Sequence, residues 1–169
     1  MTAPRKRGFD PVVDADTRLL ILGSLPGDAS IARREYYAHP TNGFWTLIGD
    51  VIGDPGLRQL SYADRLAALK RHGVGLWDVI VEAERIGSLD SSIRLPEYAD
   101  LHSLAAALPN LRAVAFNGGR SAAAGTRHLA DMDERIARIA LPSSSAAHAR
   151  MPPDAKRAAW SVLKTYLAD

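Results

Sequence analysis

The residues best equipped for chemistry are two amides, a carboxylate, a histidine and a run of serines. Asn117 ends the apolar run Leu111-Arg-Ala-Val-Ala-Phe-Asn117 and precedes two glycines. Its amide carries one acceptor and two donors, enough to grip a ring N–H and a carbonyl together, and it is equally suited to capping a following helix. Asn42 lies in Tyr36-Tyr-Ala-His-Pro-Thr-Asn-Gly-Phe-Trp45, downstream of the turn Gly23-Ser-Leu-Pro-Gly27 and of Asp28. Glycine and proline in that turn fix a backbone that approaches a ligand closely. Asp28 is a free carboxylate, although helix capping is the commoner task for such a residue. Ser143-Ser-Ser-Ala-Ala-His148 pairs hydroxyls with an imidazole, but Ser144 and His148 are too close in sequence for a hydrolase dyad and lack a Gly-x-Ser-x-Gly elbow. His39, His72, His102 and His128 show no metal-ligand spacing, and the absence of cysteine removes thiolate nucleophiles, disulfides and Cys-held metals. Asp78 and Asp90 read as cap or turn residues.

These groups need a scaffold, and the apolar pattern supplies one. Arg18–Gly23, Val74–Val81, Leu111–Asn117 and Arg135–Leu141 read as four short buried strands. Between them, helical spacing covers Phe44–Ile52, Ser61–Arg71 with Ser61 as N-cap, Ala99–Leu108 and an alanine-rich stretch that follows Gly118-Gly119-Arg-Ser to about Ala130, with a last helix over Asp154–Leu167. Strands alternating with helices imply right-handed crossovers and a parallel sheet covered on both faces. The expected fold is therefore a single-domain α/β protein of three layers, α/β/α, with four mostly parallel strands. Ligands in such sheets bind beyond the carboxyl ends of the strands. That rule gathers Gly23–Gly27, Asn117-Gly-Gly and the serine loop at one edge.

Bulk properties permit this reading without choosing a function. The chain has 169 residues, 47% hydrophobic and 24% charged, and a formal net charge of +2 from 21 Lys+Arg and 19 Asp+Glu. A near-balanced charge permits nucleic-acid binding but does not indicate it. No apolar run reaches membrane-span length. Residues 1–17 are basic at the start and read as a flexible tail rather than a signal peptide, leaving 18–169 as the folded domain. The lack of cysteine fits a reducing cytoplasm.

Four segments, in order, carry a resemblance. They are Gly23–Ile31 with Tyr36–Trp45, Gly75-Leu-Trp-Asp-Val-Ile80 with Glu84–Ile93, Ala115-Phe-Asn-Gly-Gly119, and Leu141-Pro-Ser-Ser-Ser-Ala-Ala-His-Ala149. Together the chain resembles the uracil-DNA glycosylase superfamily, nearest its hypoxanthine-DNA glycosylase branch. The resemblance implies a monofunctional enzyme that flips a deaminated base out of DNA and hydrolyses its glycosidic bond. Its substrate would be DNA containing uracil or hypoxanthine, and it would act as a monomer without metal or cofactor. Some relatives hold an iron–sulfur cluster on cysteines, which this chain lacks.

The roles are carried over by position. Phe44 is expected to stack on the flipped base, Asn117 to read its edge, and Asn42 to position the attacking water. Gly23, Ser24, Gly27 and Asp28 would form the turn against the substrate, with Tyr36 and Tyr37 walling the pocket. Many superfamily members carry Asp or Asn two residues after the opening glycine; here that residue is Leu25, which cannot hold water. Asp28 is then the rival to Asn42. In the last motif Ala146 and His148 replace the branch's Pro and Asn, so His148 becomes a candidate donor to the base carbonyl. Ser143, Ser144 and Ser145 would contact phosphate, and Arg150 and Met151 would enter the minor groove, Met151 as an apolar wedge. The alternatives are a non-catalytic damaged-DNA-binding member of the same superfamily and a hydrolase of free nucleosides.

Overall fold

The computed structural model describes residues 4–169. A central sheet has the order β3-β2-β6-β7, built from Leu19–Gly23 (β2), Val74–Asp78 (β3), Ala113–Asn117 (β6) and Ala137–Leu141 (β7). All of its pairings are parallel. The four-stranded parallel sheet and the α/β class follow the sequence pattern.

Alternation along the strands divides the core between two faces. Leu19, Ile21, Ala113 and Ala115 point to one face, where Phe44–Ile52 (α2), Tyr62–Arg71 (α3) and Pro153–Trp160 (α6) pack. Leu20, Leu22, Val114 and Phe116 point to the other, covered by Leu101–Ala106 (α4) and Gly119–His128 (α5). A short helix, Asp28–Arg33 (α1), follows the first turn, and Lys164–Leu167 (α7) ends the fold. Ser61 caps α3 as expected, its Oγ accepting from the Asp64 N–H at 3.2 Å.

The structure corrects two expectations. Val74–Val81 is not one strand. It breaks at Val79, where the Val79 N–H turns to the Gly23 carbonyl and the chain enters a second sheet. That sheet is antiparallel, order β1-β4-β5, from Arg5–Arg7 (β1), Ile80–Glu84 (β4) and Arg94–Tyr98 (β5). The expected tail is likewise not loose over residues 4–17: Arg5–Arg7 pairs with Glu82–Glu84, and Val12 bridges Leu76. Phe9 meets Tyr36 edge-on at 5.0 Å. These backbone and aromatic partners offset the ordering entropy that a tail would keep. The first three residues of the expected tail lie outside the described residues.

Candidate active site

Three loops leave the carboxyl ends of β2, β6 and β7 and close around one cavity of about 560 Å³. Its size is in the range of small-ligand sites. The loop after β2 contributes Gly23, Ser24, Leu25, Gly27 and Asp28, then Tyr37 and Asn42; β6 contributes Asn117; the loop after β7 contributes Ser143, Ser144, Ser145 and His148.

A chain of hydrogen bonds ties the three loops together. Asn117 Oδ1 accepts from the Ser144 N–H at 2.9 Å, and Asn117 Nδ2 donates to Ser144 Oγ at 2.9 Å. Ser144 Oγ in turn donates to Asn42 Oδ1 at 2.8 Å. That oxygen also accepts from the Phe44 N–H at 3.0 Å. Because backbone N–H groups can only donate, the Phe44 and Ser144 amides fix which way both Asn side chains face. Asn42 consequently holds its oxygen inward, and its Nδ2 hydrogens have no protein acceptor among the described residues. Asn117 spends its oxygen and one of its two Nδ2 hydrogens on Ser144. The two-handed grip on a base expected of Asn117 therefore reduces to one free N–H and a remaining lone pair.

This network changes the expected role of Ser144. Ser144 is 3% exposed, with its hydroxyl donating to Asn42 and accepting from Asn117, so it joins the loops instead of facing a phosphate. Ser143 Oγ and Ser145 Oγ accept from backbone N–H groups two residues on, Ser145 and Ala147, and shape the turn. The same loop is strapped from behind by Lys156 Nζ on the Ser145 carbonyl, 3.1 Å, and Trp160 Nε1 on the Pro142 carbonyl, 2.9 Å. Gly118, at φ +98°, makes the turn between β6 and α5, and a side chain there would also crowd Ser143. Arg150 is exposed and Met151 half-buried on the turn before α6, outside the cavity lining.

The aromatic expectation shifts by one ring. Phe44 is 0% exposed, packed in the core with Trp45 and Trp160, and has no surface on the cavity. Tyr37 lies on it, rings parallel to within 21° and centroids 4.0 Å apart, and it is Tyr37 that lines the cavity. The helical spacing of Phe44 with Leu47 and Ile48 suits this core position equally well. Tyr37 adopts the left-handed conformation, φ +55°, which a bulky residue takes only when its surroundings hold it there. Those surroundings include the Tyr36 carbonyl bonded by Trp45 Nε1 at 3.1 Å and the Ala38 N–H bonded to Ser30 Oγ at 3.0 Å.

Asp28 lines the cavity already paired: its Oδ1 accepts from Lys6 Nζ of β1 at 2.5 Å. The turn itself is held chiefly by Arg85, which the sequence did not single out, and by Ser24 bonded to Asp90. Arg85, buried, donates to the carbonyls of Leu25 and Pro26 and, at 3.0 Å, to that of Gly87. Ser24 Oγ donates to Asp90 Oδ1 at 2.6 Å. Arg58 fixes the Asn42 segment through the Pro40 and Asn42 carbonyls, at 2.6 and 3.0 Å.

Asp78 is the other residue missed. It ends β3, is 4% exposed, lines the cavity, and its Oδ2 is buried without a hydrogen-bond partner among the described residues. Burial, then the Asp90 carboxylate, push its carboxyl up to about 7, with Arg85 pulling the other way. The Tyr37 hydroxyl beside it is also buried without a partner, and burial first and Asp78 second raise it above the ordinary tyrosine value. Gly23 is a glycine because of this pair: a Cβ there would stand 2.6 Å from Asp78 Oδ1 and 2.9 Å from Tyr37 Oη. Among the described residues, no group of three His, Asp or Glu side chains is arranged to hold a metal ion, and no helix is long and apolar enough to cross a membrane.

Comparison with known proteins adds to this geometry. The sequence model of the Uracil DNA glycosylase superfamily matches residues 11–164. The chain is 48% identical over 117 residues to a hypoxanthine DNA glycosylase of Methanosarcina barkeri, covering 69% of this chain and 73% of that one. It is 45% identical over 116 residues, with the same coverage, to the hypoxanthine DNA glycosylase of Methanosarcina acetivorans. A solution NMR structure from Methanosarcina acetivorans, described as a candidate uracil DNA glycosylase, superposes with a TM-score of 0.85 and 38% identity, over 97% of this chain and 99% of that one.

Proposed function

Because the chain belongs to the uracil DNA glycosylase superfamily, we propose that it is a monofunctional DNA glycosylase that releases hypoxanthine or uracil from DNA and leaves an abasic site. The relatives named as hypoxanthine DNA glycosylases favour hypoxanthine as a substrate. The observation that carries the reading is the Asn117–Ser144–Asn42 hydrogen-bond chain, which joins three strand-end loops around one cavity.

The flipped base lies on the exposed face of Tyr37, backed by Phe44, where stacking on an aromatic is worth about 1–3 kcal/mol. The free Nδ2 hydrogen of Asn117 donates to the base. As the glycosidic bond breaks, positive charge grows on the sugar and negative charge on the base. Asn42 holds water through its free Nδ2 hydrogens, and its fixed orientation leaves water-holding rather than proton removal as its part. An amide suffices when the sugar cation forms before water adds. His148 donates from a ring N–H to the departing base, and Asp28, held by Lys6, stays out of the reaction. The protein acts as a monomer on DNA in the cytoplasm.

The test uses oligonucleotides carrying each lesion, with chelator present, followed by alkali to cut abasic sites. Alkali-dependent cleavage is the expected result. Strand cleavage without alkali, loss of activity on chelation, or lesion binding without any base release would refute the reading.

A further inference from the structure

Three acids line the pocket: Asp28 accepts from Lys6 and Asp90 from Ser24, whereas Asp78 keeps a buried Oδ2 without a partner among the described residues. Asp78 sits at the carboxyl end of β3, beside the Tyr37 hydroxyl and over Gly23. In these surroundings an ionised carboxylate would leave its Oδ2 buried without a hydrogen-bond partner. The groups that face it are Asp90 from the 3₁₀ turn Asp90–Ser92, Arg85 just after β4, and the hydroxyls of Tyr36 and Tyr37. Asp90 already accepts from Ser24, and the Arg85 guanidinium is spent on three backbone carbonyls. Neither bonds Asp78. A base stacked on Tyr37 brings an edge to the place where Asp78 and the Tyr37 hydroxyl meet.

We propose that Asp78 is a catalytic residue, the proton donor to a departing purine, and thereby favours hypoxanthine over uracil. The step balances simply. The bond from the sugar C1′ to N9 breaks and its electron pair goes to the base. The Asp78 O–H bond breaks and its proton passes to a ring nitrogen of the purine, so that neutral hypoxanthine leaves and Asp78 becomes a carboxylate. Water forms the new C–O bond at C1′ and loses a proton to solvent, and solvent returns one to Asp78. A purine offers an imidazole nitrogen lone pair for this proton. Uracil offers only carbonyl oxygens, which share the charge of its anion without needing a full transfer. Raised as it is, the carboxyl is largely protonated below about pH 7, where a general acid must carry its proton.

The inference rests on the glycosylase reading, and the experiment separates the two. Single-turnover release of hypoxanthine and of uracil is measured for the parent and Asp78→Asn from about pH 5 to about pH 9, general-acid help being worth ~10²–10⁴ in rate. Asp78→Asn is expected to lower the hypoxanthine-to-uracil rate ratio by about 10²-fold or more. The parent's hypoxanthine rate should fall as pH rises through about 7, and that fall should be absent from the variant. Binding of abasic-site DNA by Asp78→Asn at near-parental strength verifies the fold. Equal losses on both bases, a loss within a few-fold on hypoxanthine, an unchanged pH profile, or a variant that no longer binds abasic-site DNA would overturn the role of Asp78. Failure of the parent to release either base would instead overturn the glycosylase reading.

Discussion

A buried acid without hydrogen-bond donors should weaken the fold as pH rises, and Asp78 allows the size of that effect to be worked out. An unfolded Asp titrates near 3.8, whereas burial raises Asp78 in the folded protein to about 7. Between those values the folded state binds the extra proton, so stability falls as pH rises and levels off above the higher value. At about 1.36 kcal/mol per unit, the whole effect is on the order of 4 kcal/mol, of which about 3 falls between pH 5 and pH 8. Water entering the cavity lowers the shift, so this is a ceiling. Asp78→Asn keeps the shape and removes the titration. It adds a roughly pH-independent cost of about 1–3 kcal/mol for an unpaired amide. The assay is urea unfolding of parent and variant at both pH values. The parent should lose up to about 3 kcal/mol more than the variant over this interval, and near pH 8 the variant should equal or exceed it. Stability curves that stay parallel to within about 0.5 kcal/mol would refute the argument that Asp78 is stranded without a donor.

Other substitutions separate packing from chemistry. Phe44→Ala should destabilise by about 3–5 kcal/mol through the cavity it leaves, whereas Tyr37→Ala should weaken binding of a non-cleavable lesion analogue by about 1–3 kcal/mol; urea unfolding and a binding titration check the two. Asn42→Ala should slow single-turnover base release far more than it weakens lesion binding, and Asp28→Ala should not; a parental rate in Asn42→Ala would remove it from the reaction. Ser144→Ala cuts the link between Asn117 and Asn42, and should lower the release rate while leaving the hypoxanthine-to-uracil ratio near the parental value. His148→Ala should cost about 10²–10³ in rate if it donates to the leaving base, with His148→Asn restoring part; a loss within a few-fold would assign His148 to backbone or solvent contact.

The parallel sheet was legible because its strands are apolar-rich runs, three of them closed by glycine, asparagine or proline. The α2 helix matches its predicted limits, Phe44–Ile52, because its apolar spacing ends at Gly53, which adopts φ +74°. The second sheet was hidden for physical reasons. β1 is Arg-Lys-Arg, whose charge suggests a solvated tail, and β5 contains Pro96, which only an edge strand tolerates. Val79 and Ile80 are fully buried on either side of the sheet change, so nothing in the hydrophobic pattern marks the boundary. At the site, the loops and most lining residues could be read, since strand ends point to one edge. The exchange of Tyr37 for Phe44 could not, because it depends on a left-handed backbone at Tyr37. Nor could Asp78, whose type suggests a cap and whose distinguishing property is a buried Oδ2 without a partner.

The packed N-terminal strand has a practical consequence. A chain shortened to begin at Arg18, on the view that everything before it is dispensable, would lose β1 and with it the partner of β4. The freed edge, Ile80–Glu84, would present unpaired N–H and C=O groups to any other chain that could add a strand. Lys6 would leave at the same time, releasing Asp28 as an unpaired negative charge near the mouth of a site that must admit a polyanion. Such a protein should self-associate on storage and bind DNA more weakly at low salt, although no residue that touches the base has been removed.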